Sequence, residues 1–177
     1  MHPRLAEILA YLSDVRAELT AFVAGTPRER FLHRPAEGAW SGTQILFHLG
    51  SVEGRTAKLL EGLFAKALAD GLAADTGSAT MLHALDHLHA TDRSRRINAP
   101  EWVQPPADPD FDASWASLRK ARERTLAAVA TVDGRDLTLL SAPHPVFGPI
   151  NGYQWVLLVG QHEKRHLGQL RETVHAG

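Results

Sequence analysis

The chain lacks cysteine, long apolar runs and an excess of charge of one sign, and each absence excludes a class of protein. Its 177 residues contain no cysteine, which excludes disulfides and thiolate-bound metal. Lysine and arginine number 19 and aspartate and glutamate 20. A near-neutral chain has no basic field that would favour nucleic acid or an anionic membrane as a partner.

Segments that would place the chain in a membrane or a secretory route are also missing. The longest apolar runs, such as residues 155–159, are too short to span a bilayer. The N-terminal residues mix charges into a helical pattern and have no signal-peptide core. We therefore expect a soluble, cytoplasmic protein that forms a single domain over residues 1–177, large enough to bury a core.

Four stretches carry apolar residues at the i, i+3, i+4, i+7 spacing of core-facing helices. The first runs from Leu5 to Phe22, and the third follows residue 110 and ends near Gly134. The second and fourth begin at capping-box patterns, Ser41 with Gln44 and Asn151 with Gln154. A stretch rich in proline and glycine, residues 142–149, precedes the fourth helix.

Residues 71–108 have the weakest helical pattern in the chain. Residues 81–90 are compatible with a short helix, whereas the proline-rich residues 98–106 predict irregular structure. A connection of this length suits a crossover in a helical bundle. The sequence therefore predicts an all-α fold, a four-helix bundle with a long crossover between helices 2 and 3.

Three histidines occupy positions on the apolar stripes. His48 lies on the second predicted helix, and His162 and His166 lie one turn apart on the fourth. Three imidazoles with an open coordination position form the ligand set of a catalytic transition-metal site. The interpretation is that these histidines hold one metal ion in the core of the bundle.

The pattern alone leaves alternatives open. A chain with 10 histidines produces pairs four residues apart by chance, and His83 with His87 is a second such pair. A competing metal cluster would combine this pair with Asp86 and His89. Alternatively, no metal is bound, His162 faces the core, and His48 and His166 bond to backbone or carboxylate groups.

Carboxylates suited to acid–base work are not evident beside the histidines. Glu53 and Glu163 are rotated away from the faces that carry His48 and His162. Arg55 and Gln169 return to those faces seven residues after a histidine, so both are candidate substrate contacts. No nucleophile elbow, P-loop or dinucleotide fingerprint occurs in the sequence.

Several of these motifs together resemble the DinB/YfiT-like family. The similar segments are Trp40-Ser41 followed by His48-Leu49, residues 99–105, residues 144–155, and His162-Glu-Lys-Arg-His-Leu-Gly-Gln-Leu. The resemblance covers nearly the whole chain. It implies a four-helix bundle with a long crossover that often forms homodimers. It also implies a divalent metal, zinc, nickel, iron or manganese, bound by His48, His162 and His166.

The predicted site and the family resemblance together suggest a function. The resemblance implies relatives that include characterised thiol S-transferases. The leading hypothesis is a metal-dependent enzyme that transfers a low-molecular-weight thiol to a small electrophile in detoxification, or that hydrolyses a small molecule. Residues His144, Tyr153 and Trp155 are then expected at the entrance of the substrate pocket. One alternative is a non-catalytic bundle that binds a metal or a small ligand in stress response. Another is an interaction protein with structural, metal-free histidines.

Overall fold

The computed structural model describes residues 1–94 and 100–176, which contain four long α-helices. They are α1 (Pro3–Ala24), α2 (Gly42–Ala69), α3 (Phe111–Ala130) and α4 (Gly152–His175). Helix α2 packs along α3, and α4 packs against α1 and α2. The predicted four-helix bundle with a long crossover between α2 and α3 is confirmed. No helix among the described residues has the length and apolar character needed to cross a membrane.

The helix starts follow from local capping chemistry. The Ser41 hydroxyl accepts a hydrogen bond from the backbone N–H of Gln44, and the Gln44 side chain accepts one from the Ser41 N–H. Asn151 and Gln154 form the same pair at the start of α4. Both predicted capping boxes are therefore present, and they set the first turns of the two helices that carry the three histidines.

The apolar stripes build a core in two clusters, one toward each end of the bundle. The first cluster contains Leu5, Ile8, Leu12, Leu60, Phe64, Val129, Val132, Tyr153 and Val156, among others. The second contains Leu19, Phe31, Ile45, Leu46, Leu49, Leu118, Leu167, Leu170 and Val174. On every helix a gap of several residues separates the two sets, and a charged side chain occupies each gap.

These four side chains, Arg16, Glu53, Arg122 and Glu163, form what we call the charge layer, with one residue from each helix. Arg16 donates to Glu163 at 2.9 and 2.7 Å and to Glu53 at 3.0 Å. Arg122 donates to Glu53 at 2.6 Å and to Glu163 at 2.8 Å. Burial raises the pKa of Glu53, and the positive charges of Arg122 and Arg16 oppose that rise. Two cations and two anions thus balance within the core.

The crossover between α2 and α3 contains turns and two short 3₁₀ segments, Asp86–Leu88 and Glu101–Val103, among its described residues. Residues 81–90, compatible with a short helix from their sequence, form turns and the first of these segments instead. His89 adopts a left-handed conformation with φ of 50°, which an α-helix cannot accommodate. Asn98 and Ala99, part of the predicted irregular stretch and of the sequence motif at 99–105, lie outside the described residues.

A β-hairpin joins α3 to α4, and the sequence did not predict it. Strand β1 (Ser141–His144) pairs antiparallel with β2 (Gly148–Asn151). Gly148 has φ of 72°, a conformation that favours glycine. The hairpin contains Pro143 and Pro149, which cannot donate to a ladder and therefore mask a strand pattern in the sequence. Strand β2 ends at Asn151, the N-cap of α4, so the hairpin leads directly into the helix that carries two of the histidines.

The charge layer should be costly to break at a single position. We expect Arg122→Met to lower the free energy of unfolding by about 3–5 kcal/mol, because it leaves two buried carboxylates short of a cation. Arg124→Met is the matched control on the same helix, since Arg124 pairs with Glu61 at the surface with 43% and 40% of the two side chains exposed. It should cost no more than about 1 kcal/mol. Urea unfolding followed by circular dichroism measures both, and equal losses would contradict the prediction.

Candidate metal centre

The three predicted histidines converge on one point of the bundle. His48 lies in the second turn of α2, and His162 and His166 lie one turn apart on α4. One nitrogen from each ring lies within 4.8 Å of the corresponding nitrogens of the other two. The ring centroids are 4.5–5.3 Å apart. In the described part of the chain, no other group of three or more histidine or carboxylate side chains converges in this way.

Two of the three rings are oriented by a hydrogen bond at Nδ1, the nitrogen that would not bind the metal. The Nδ1 atom of His48 lies 3.0 Å from the backbone carbonyl oxygen of Val103, which can only accept. The Nδ1 atom of His166 lies 2.7 Å from Oε1 of Gln169, which is also an acceptor. Each Nδ1 therefore carries the hydrogen, and the lone pair stands on Nε2. Metal-binding histidines usually make such a bond from their other nitrogen, because it fixes the tautomer and the ring orientation.

Burial favours the neutral form of all three imidazoles. Burial lowers the pKa of His48, although the bond to Val103 opposes the shift. Burial and the nearby His48 lower the pKa of His166 to about 3. Burial, followed by the charges that His166 and His48 would carry, lowers the pKa of His162 well below its usual range. Because the neutral ring is the form that binds metal, the donor set fits a divalent transition metal with imidazole preference.

The histidines line a cavity of about 910 Å³. Its walls are largely aromatic and apolar, and they include Trp40, Trp102, Phe147, Trp155, Leu158 and Val159. The Trp40 ring lies 5.0 Å from the His48 ring. Other parts of the wall carry the charged side chains Glu37, Arg93, Arg165 and Glu172, and Glu53 and Glu163 of the charge layer also border the space. A metal in this position would face a space large enough for a small organic molecule.

Of the predicted pocket residues, His144, Trp155 and Gln169 line the cavity. Arg55 does not, because it is exposed on α2, where its guanidinium donates to the Trp102 carbonyl and lies 4.9 Å from the centre of the Trp102 ring. Tyr153 does not either. It precedes His162 by nine residues, about two and a half helical turns, and therefore faces the opposite side of α4.

Tyr153 has a structural role at that opposite side. It is fully buried, and its hydroxyl donates to the carboxylate of Asp75 in the crossover. Arg4 of α1 donates to the same carboxylate at 3.1 Å. Burial and the hydrogen bond to Asp75 raise the pKa of the Tyr153 phenol. The cluster ties the crossover to α1 and α4 away from the cavity.

Several residues that shape the site were not predicted from the sequence. The Val103 carbonyl has no signal in the sequence, because any residue carries the same backbone oxygen. Phe147 and Trp102 reach the cavity from the hairpin and the crossover, the segments whose path periodicity does not predict. The competing cluster does not form a site, since His83 pairs only with Asp86 at 2.9 Å at the exposed surface.

Comparisons with known proteins agree with this architecture. The sequence profile of the DinB superfamily matches residues 11–170. The uncharacterized protein YuaE of Bacillus subtilis (strain 168) is 26% identical over 167 residues, which cover 93% of this chain and 95% of that protein. Among solved structures, the crystal structure of TT2238, a four-helix bundle protein, superposes with a TM-score of 0.64. It is 24% identical, with 94% of this chain and 98% of that chain covered.

The bond from His166 to Gln169 should contribute to metal affinity. We expect Gln169→Leu to weaken zinc binding by about 10–100-fold, because the variant no longer fixes the His166 tautomer. Gln169→Glu should restore most of the affinity, since a carboxylate accepts the same hydrogen bond. The control is Gln161→Leu on the same helix, because Gln161 borders a separate, smaller cavity. Competition with a chromophoric chelator gives the affinities, and an equal loss in the Gln161 variant would count against this role.

Proposed function

The chain belongs to the DinB superfamily, and from that premise we propose that it is a metal-dependent enzyme that transfers a low-molecular-weight thiol to a small electrophile. The observation that carries the proposal is the convergence of three neutral histidines on the wall of a large, mostly apolar cavity. His48, His162 and His166 would hold the ion, which we expect to be zinc, nickel, iron or manganese. When bound there, a divalent ion lowers the pKa of a thiol or water that it coordinates.

The state of the nearby carboxylates favours thiol transfer over hydrolysis. Hydrolysis is assisted by a general base close to the attacking water. Glu53 and Glu163 are the carboxylates nearest in sequence to the histidines, and both are engaged by Arg16 and Arg122 in the charge layer. Addition of a deprotonated thiol needs no such base, because the thiol has already lost its proton before it attacks.

The non-catalytic alternative predicts a closed coordination sphere. A structural metal site is normally completed by a fourth protein ligand, whereas the convergent group here contains three histidines among the described residues. The adjoining cavity supplies room for a substrate in place of the fourth ligand. These two observations favour the enzyme. Formation of a homodimer and a cytoplasmic location remain predictions from the sequence.

Metal content is the first test of the proposal. We expect protein prepared without a polyhistidine tag to carry close to one equivalent of a divalent transition metal, and His162→Ala to lose it. His83→Ala is the control, since His83 is exposed and remote from the site. Elemental mass spectrometry measures the metal. A metal that binds only the folded state must also raise the melting temperature, so a chelator should lower the melting temperature of the wild type but not that of His162→Ala.

Thiol transfer is the second test. The metal-loaded protein should accelerate the reaction of small thiols with a generic electrophile, and the rate should fall to background in His162→Ala. Absence of metal after incubation with zinc, nickel, manganese and ferrous salts would overturn the proposal. Bound metal without acceleration for any thiol would favour the non-catalytic alternative.

A further inference from the structure

A fourth histidine, His144, lines the same cavity and is held by the turn of the hairpin. Its Nδ1 atom accepts hydrogen bonds from the backbone N–H groups of Val146 at 3.2 Å and Phe147 at 3.3 Å. A ring nitrogen that accepts two hydrogen bonds carries no hydrogen of its own. The single N–H of a neutral imidazole must then be on Nε2.

The plane of the His144 ring is also fixed. The ring stacks on Phe147 with centroids 4.7 Å apart and an interplanar angle of 19°, and it lies 5.1 Å from Trp155. The indole N–H of Trp155 donates to the carbonyl of Ala142, which ties this wall to β1. Burial lowers the pKa of His144, so the neutral form is favoured further. Protonation at Nδ1 would place a hydrogen against two backbone donors.

Nε2 of His144 has no hydrogen-bond partner among the residues that the structure describes, and it is not a fully buried atom. As an N–H group it has no lone pair for a metal, so His144 does not complete the coordination of the other three histidines. It is a hydrogen-bond donor beside the aromatic side chains Phe147 and Trp155 of the cavity wall. Isolated polar groups in an apolar pocket fix the orientation of the ligand that the pocket binds.

We propose that His144, as the neutral Nε2–H tautomer, binds the carbonyl oxygen of a planar, apolar electrophile. The aromatic side chains Trp102, Phe147 and Trp155 on the cavity wall suit a flat, uncharged body, and the histidine supplies the donor for its oxygen. The inference rests on the proposed function and names its second substrate by chemical class, an α,β-unsaturated carbonyl compound such as an enone or a quinone.

Addition of the thiol to the unsaturated carbonyl compound needs no further reactant, because the atoms and electrons of these two molecules account for the whole product. The thiolate sulfur forms a bond to the β-carbon, and the C=C π pair shifts to give an enolate whose charge collects on the oxygen. The proton that the thiol released then adds to the α-carbon. Since the oxygen is more negative in the enolate than in the ketone, a donor at this position stabilises the transition state more than the substrate.

Binding of two unreactive ligands tests the inference. Acetophenone and ethylbenzene have similar shapes, and only acetophenone has a carbonyl oxygen. In zinc-loaded protein we expect His144→Phe to weaken acetophenone binding about tenfold, because the carbonyl loses its donor inside an apolar wall. Ethylbenzene binding should stay the same, since the phenyl ring preserves the stack on Phe147. Quenching of tryptophan fluorescence gives the dissociation constants, and His87→Phe, an exposed position away from the cavity, is the matched control.

An equal change for both ligands in His144→Phe would overturn the proposal, because the donor would then contribute nothing specific to the oxygen. A measurement that needs no variant is ¹⁵N NMR of histidine-labelled wild-type protein. It should show His144 protonated at Nε2 alone at neutral pH, and a neutral ring protonated at Nδ1 would also overturn the proposal. Failure of metal binding would reject the proposed enzyme, whereas thiol transfer with no difference between the two ligands would reject only this inference.

Discussion

The balance of two arginines and two glutamates in the charge layer is the constraint on which the rest of the bundle depends. Each helix contributes one charge at the same level, so sliding or rotating one helix would leave a buried charge without its partner. On α4 His162 directly precedes Glu163, and on α2 His48 lies five residues before Glu53. The pairing that aligns the carboxylates therefore also aligns the histidines.

The site divides its tasks between helices and connecting segments. The helices supply the three ring nitrogens, and the capping boxes at Ser41 and Asn151 define where those helices start. The crossover supplies the Val103 carbonyl that orients His48, and the hairpin supplies His144 and Phe147 on the cavity wall. Rigid parts of the fold thus position the three histidines, whereas connecting segments, which tolerate sequence change most readily, form other parts of the cavity wall.

Periodicity and capping patterns were sufficient to predict the bundle, its helix boundaries and the juxtaposition of the histidines, because both are local properties of the chain. The same periodicity also places Tyr153 outside the site. Nine residues along the helix correspond to about two and a half turns, so Tyr153 and His162 lie on opposite sides of α4. The partners of Arg122 could not be predicted, because they depend on which helices become neighbours. The hairpin was hidden by Pro143 and Pro149, and the contribution of Val103 is a backbone atom that no residue type reveals.

The direct passage from β2 into α4 has a consequence for how relatives of this protein can diverge. Residues 145–147 form the turn of the hairpin, outside its paired strand residues, and their side chains border the cavity. Mutations at Pro145 and Val146 can alter the shape of the cavity while the helices, the charge layer and the histidines stay unchanged, whereas Phe147 also packs against the core. Natural selection can therefore reshape the cavity through residues 145 and 146 at little risk to folding, and these two positions are also the first to randomise in a directed-evolution library.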